Sequence, residues 1–264
     1  MNIFIKELKA NRKALIIWSV CMILLVVSGM GKYTAYSSGG ASSEVFDKLP
    51  HTLKVLLGLG NFEVTKISGF YAFLFPYIQI TAAIHAVLLG SGIIAKEERD
   101  KTTEFLIAKP ISRKEIITAK LLAAVVNVVI INVVSLLSSI AIVSSFKANE
   151  DINGEIFLLH VSMFLVQLIY LSLGMVLAAF MRKSKKSGAL ATNILLIGFV
   201  ISKVTELVGE LKALNVFSPL NYFNLERLVK NNDMSIVITI LSVVLIAGFS
   251  TLTYYFYEKR DMNI

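Results

Sequence analysis

The sequence predicts an all-α integral membrane protein with six transmembrane helices, and three observations predict it. The 264 residues are 56% hydrophobic and only 17% charged, with a mean hydropathy of +0.73, whereas soluble domains run nearer one half apolar and one quarter charged. The apolar residues gather in long blocks without Lys, Arg, Asp or Glu, which neither a water-exposed helix nor a half-buried strand tolerates. Basic residues concentrate between alternate blocks, the mark of a chain that threads a bilayer repeatedly. The composition also limits the chemistry. One cysteine, Cys21, lies in the first block and excludes an intramolecular disulfide. His51, His85 and His160 are scattered, which leaves little material for a metal or nucleophile site.

A helical crossing takes about 20 apolar residues, with a range of roughly 17 to 25. Stretches free of charge run over 14–31, 70–95, 121–146, 156–181, 187–202 and 234–257. Five are long enough unaided. The fifth in order has 16 residues between Lys186 and Lys203, so Lys203 must snorkel outward along its own apolar stem. The helix is expected to continue past it, because Val204, Leu207, Val208, Leu211 and Leu214 recur at helical spacing. Pro76 in the second span reads as a kink. The first span, 14–31, exceeds the apolar core of a secretory signal and is expected to be retained. Trp18 within it reads as an anchor or packing residue. The expected helices are 14–31, 70–95, 113–146, 156–181, 187–208 and 234–257.

Charge sets the orientation. Segments 1–13, 96–120, 182–186 and 258–261 hold 17 of the 26 basic residues and a net charge of +9, against −1 for everything on the other side. Lys and Arg beside a span resist translocation, so both termini are expected in the cytoplasm of a cell-membrane protein. The basic balance therefore reads as topology, and no basic, aromatic-interleaved patch stands apart from the membrane flanks to suggest nucleic acid.

On the cytoplasmic side, residues 1–13 set Ile3, Phe4 and Leu8 against Lys6, Lys9 and Lys13 at helical spacing, as an in-plane helix on the bilayer surface would. On the outer side, 37–43 has linker composition, 49–59 has the spacing of a short amphipathic helix, and Asn153-Gly154 reads as a turn. Between spans five and six, Ser218-Pro219 separates two short outer helices.

The segment between spans two and three is the densest in charge. Glu97-Glu98-Arg99-Asp100-Lys101-Thr102-Thr103-Glu104-Phe105-Leu106-Ile107 reads as a charged helix with an apolar tip, ending before Pro110. Ser112 and Glu115 then form the Ser-x-x-Glu capping box that starts the next helix. From Arg113 to Phe146 that helix would be about 51 Å long at 1.5 Å per residue, so part of it stands beyond the hydrocarbon core.

This run, Glu-Glu-Arg-Asp-Lys-Thr-Thr-Glu-Phe-Leu followed by Lys-Pro-Ile-Ser-Arg-Lys-Glu-Ile and Lys-Leu-Leu-Ala over residues 97–123, resembles the permease subunits of ABC-2 type ATP-binding-cassette transporters. The family often has glycine where this chain has Lys101. The resemblance implies an in-plane N-terminal helix, six spans, a coupling helix over 97–108 that docks on a partner ATPase, and short outer helices before the last span. It implies a permease, a homodimer or a pair with a related permease, that moves an amphipathic or lipid-like substrate outward. Phe105 and Leu106 would form the apolar plug, rimmed by Glu98, Arg99, Asp100 and Glu104. No phosphate loop of the G-x-x-x-x-G-K-[S/T] form is present; Gly29-Met30-Gly31-Lys32 and Gly58-Leu59-Gly60 lack its spacing. The chain is thus expected to be a non-catalytic subunit that binds no cofactor, with ATP and Mg on the partner.

Two rivals come from the residues themselves. A stand-alone secondary transporter would place ionisable groups or broken helices near the midplane. Here the polar residues inside the spans are Gln79, His85, Asn127, Asn132, Gln167 and Asn193, of a kind that commonly bonds between helices. Gln79, His85 and Asn132 are the candidates for a substrate path. A membrane-embedded enzyme is the second rival, but Glu97-Glu98 has no histidine nearby and the serines of span three have no adjacent base.

Overall fold

No proline or glycine interrupts residues 3–28, and in the structure, a computed structural model, one helix runs from Ile3 to Met30 (α1). The residues described are 3–37, 50–56, 62–100, 102, 111–146, 150–181, 186–231 and 233–259. After α1 come two short helices, Tyr33–Ser37 (α2) and His51–Leu56 (α3). The remaining long helices are Ile67–Arg99 (α4), Arg113–Ser145 (α5), Asn153–Phe180 (α6), Ser187–Leu207 (α7) and Ile236–Lys259 (α9), with Leu225–Lys230 (α8) between the last two. The described residues contain no strand. Six helices, α1, α4, α5, α6, α7 and α9, are long and apolar enough to cross a bilayer, so the chain is a multi-pass membrane protein.

Three local expectations change. No break separates the in-plane helix expected over 1–13 from the first span, and the apolar face that suggested it, Ile3, Phe4 and Leu8, packs on the protein's own core. The fifth span, expected over 187–208, runs to Leu207, but the helical spacing read on as far as Leu214 forms a tighter 3-10 coil over Gly209–Phe217 after an extended Val208, glycine being a poor helix former. Asn153-Gly154 is the first turn of α6, where the Asp151 carboxylate accepts the Asn153 N–H at 3.1 Å. The linker read at 37–43 lies outside the described residues apart from Ser37.

Helices α4 and α6 form the centre. Small residues let their backbones meet: a Cβ at Gly90 would stand 2.1 Å from the Leu171 carbonyl oxygen, and one at Gly174 would stand 2.5 Å from that of Val87. Ala82, Ala83 and Ala86 on α4 and Ala178 and Ala179 on α6 are buried beside them. In a bilayer, where lipid tails are as apolar as leucine, such close packing is a main source of helix association. Helix α5 and the terminal helices pack around this pair. Helix α1 buries Met22, Val26 and Met30 along one stripe and leaves Ile16, Ile17, Val20 and Leu24 outside, and α9 exposes Ile236, Val237, Ile240 and Val244. Exposed faces of this composition suit lipid.

Interior polar groups pair across helices. Tyr71 donates to Ser139 Oγ at 2.9 Å. Asn132 on α5 donates to the His160 carbonyl at 3.1 Å and to Gln167 Oε1 at 3.0 Å on α6, and the His160 ring meets Ser135 Oγ at 3.1 Å.

Candidate functional site

At the end of the bundle that carries both termini, four charged side chains from three helices converge. Lys120 lies two turns into α5, on the stripe of Ile116, Ile117, Ala123 and Ala124 that faces the core. Its ammonium group has three N–H donors, and all are used: Glu7 Oε1 at 3.1 Å, Glu97 Oε1 at 2.6 Å and the Ile93 carbonyl at 2.6 Å. Lys96 adds a second cation beside Glu7, at 3.4 Å. The side chains of Lys120 and Glu7 are 0% and 2% exposed, that of Glu97 is 14%, and Glu97 Oε2 is buried without a partner among the described residues. A lone buried charge is expensive, and this cluster stands because cations and carboxylates balance and the ammonium is fully hydrogen-bonded.

The start of α5 is fixed on its other side too. Ser112 Oγ accepts the Glu115 N–H at 3.2 Å while Glu115 Oε2 accepts the Ser112 N–H at 3.0 Å. Arg113 donates to the carbonyls of Tyr257 and Glu258 at 3.3 and 2.9 Å, at the C-terminal end of α9 where helical carbonyls lack intrahelical partners. Thr118 and the Tyr254 hydroxyl are 2.8 Å apart. Two turns of α5 thus hold the ends of α1, α4 and α9 together, at the point where α4 gives way in the sequence to α5.

The residues expected to meet a partner divide. Glu97, Glu98 and Arg99 are the last turn of α4 itself, and Glu97 points inward onto Lys120. Arg99 and Asp100 pair with each other at 3.1 Å on the exposed side, and Thr102 is exposed. Lys101, Thr103, Glu104, Phe105, Leu106, Ile107 and Pro110 lie outside the described residues.

The three residues considered for a substrate path do not meet. Asn132 is taken up between α5 and α6. His85 is buried against Trp18 of α1, ring centroids 5.3 Å apart. Gln79 lines a small open cleft at the opposite end, with Pro76 on α4, Ser202, Lys203 and Glu206 on α7, and Asn221 after it.

Glu7 and Lys120 were missed because each reads as an ordinary flanking charge. A signal was present: Lys120 interrupts an apolar stripe at i±3 and i±4, and Glu7 shares a helix face with Phe4, Leu8 and Asn11.

The family model for "ABC-2 family transporter protein" matches residues 1–262. The chain belongs to the ABC-2 transporter family. No curated protein matches it. Six apolar helices and this family together make the chain a transmembrane transport subunit, the permease component of an ABC transporter.

Proposed function

We propose that this ABC-2 permease moves an amphipathic or lipid-like substrate outward, driven by ATP hydrolysed on a separate ATPase chain that binds residues 97–107. The observation that carries the reading is the mounting of that segment: it joins α4 to α5 where these two helices are tied to α1 and α9 by Lys120 and Arg113. A push on a segment so mounted reaches four spans at once. The charge bias supports a cytoplasmic position for this end and for both termini. Phe105 and Leu106 serve as the apolar plug, with Glu98, Arg99, Asp100 and Glu104 around it. ATP and Mg belong to the partner, and the chain itself holds no cofactor. A second copy, or a related permease, completes the transport path, in keeping with the separate surroundings of Gln79, His85 and Asn132 within one chain.

Affinity purification of the tagged protein from native membranes in mild detergent, followed by mass spectrometry, tests this. The expected result is a stoichiometric soluble P-loop ATPase that is lost in Phe105→Asp while membrane insertion persists. Its absence under conditions that preserve comparable complexes would favour a stand-alone secondary transporter.

A further inference from the structure

We infer that Lys120 is the fixed post of a latch with two unequal arms: Glu7 is a permanent arm that holds α1 to α5, and Glu97 is a releasable arm that holds the end of α4 down until residues 97–110 are moved. The inference rests on the proposed role of that segment for what moves it, and on the geometry alone for how it is held.

The two arms differ in three ways. Glu7 is as deeply buried as Lys120 and has a cation on each oxygen, Lys120 on Oε1 and Lys96 on Oε2. Glu97 has one oxygen on Lys120, and its other oxygen is buried with no partner among the described residues. An oxygen that no described residue supplies with a donor is held less firmly than one with a cation on it. Glu97 is also the more exposed carboxylate and sits two residues before α4 ends at Arg99; beyond that end the Thr102 N–H still bonds the Glu97 carbonyl at 2.8 Å. A small rotation of that last turn brings the unpaired oxygen to water, whereas Glu7 is anchored within a long helix whose Ile3, Phe4 and Leu8 pack on the core.

Releasing Glu97 leaves Lys120 with Glu7 and the Ile93 carbonyl, two of its three acceptors. The ammonium therefore stays neutralised after the arm opens. That allows one contact to break without stranding a buried charge, which makes the latch reversible. Opening frees only the last turn of α4, Glu97 to Arg99, because the Ile93 carbonyl stays on Lys120 and Lys96 stays on Glu7; α1 and α5 remain joined and are expected to move as one body.

The test uses electron-electron distances between spin labels at Lys9 on α1 and Arg99 at the end of α4, both exposed positions, in a Cys21→Ser background of the full-length chain in lipid nanodiscs without any ATPase. One narrow distance is expected in the parent, and a second, longer population in Glu97→Gln. Lys114→Gln, which removes only the exposed pair with Glu258, should keep the single distance. A second label pair, Lys9 with Lys114 on α5, should stay narrow in Glu97→Gln and broaden in Glu7→Gln. A single unchanged Lys9–Arg99 distance in Glu97→Gln would overturn the latch, as would broadening of the Lys9–Lys114 pair in that variant. Because Glu97→Gln conserves shape, it keeps the test open should Glu7→Gln fail to fold. These outcomes involve no nucleotide, so they stand apart from failure to recover an ATPase.

Discussion

The two ends of the bundle are fastened by different chemistry. The end that carries the termini is held by charges, Glu7, Lys96, Glu97 and Lys120 inside and Arg113 on the carbonyls of α9. The opposite end is held by rings. Tyr33 packs on Phe70 and Phe146 with centroids 5.5 and 5.4 Å apart, and Tyr222 closes the 3-10 segment by donating to the Val216 carbonyl at 2.7 Å. Ring contacts tolerate small sliding because dispersion falls gradually with distance and orientation. A buried charge pair does not; it is made or broken, and breaking it exposes a large cost unless another partner remains. The difference teaches where a two-state step can be built, and in this chain that place is the end where α4 finishes and α5 begins.

The comparison can be broken from its strongest point downward. Lys120→Met leaves two carboxylates facing each other in a buried site and should destabilise by about 3 to 5 kcal/mol, the range for stranding a buried charge, read as a lower midpoint in a detergent melt. Gly90→Val forces α4 and α6 apart where their backbones touch, and about 1 to 3 kcal/mol is expected for such overpacking; an unchanged midpoint would mean that the two helices do not meet there. Ser112→Ala removes one half of the capping box and should cost about 1 kcal/mol. Tyr71→Phe, which loses the bond to Ser139 at the ring-held end, is expected to cost a similar amount or less, with no change in the Lys9–Arg99 distance. Removing the exposed Lys114–Glu258 pair, 3.8 Å apart, should not be detectable by melting, because such surface pairs are screened and mobile.

Five of the six helices were legible because each carries a charge-free run as long as the bilayer demands, a signal that depends on no tertiary contact; the fifth in order, with 16 such residues, was legible only by letting Lys203 snorkel. The start of α5 was legible for a similar reason, since Ser112 and Glu115 satisfy each other within one turn. The charge cluster was not, for its members are 113 and 23 residues apart in sequence, and a lysine at a span boundary has a bland explanation in topology. The apolar face of residues 3–8 was visible, but amphipathic spacing does not say whether the covering phase is lipid or protein; here it is protein. Gln79, His85 and Asn132 were rightly seen as polar groups inside spans, yet which neighbour satisfies each depends on helix rotation, and the structure sends them to three separate places.

The account's central claim is that energy enters at the end held by charges. Site-directed photocrosslinking tests it most directly. In a Cys21→Ser background, a cysteine-linked photoprobe at Arg99 and, separately, one at Asn231 near the opposite end is activated in native membranes, and the adducts are identified by mass spectrometry. The account predicts an ATPase adduct from Arg99 and none from Asn231. An ATPase adduct from Asn231, or none from Arg99 while the ATPase still copurifies, would contradict it.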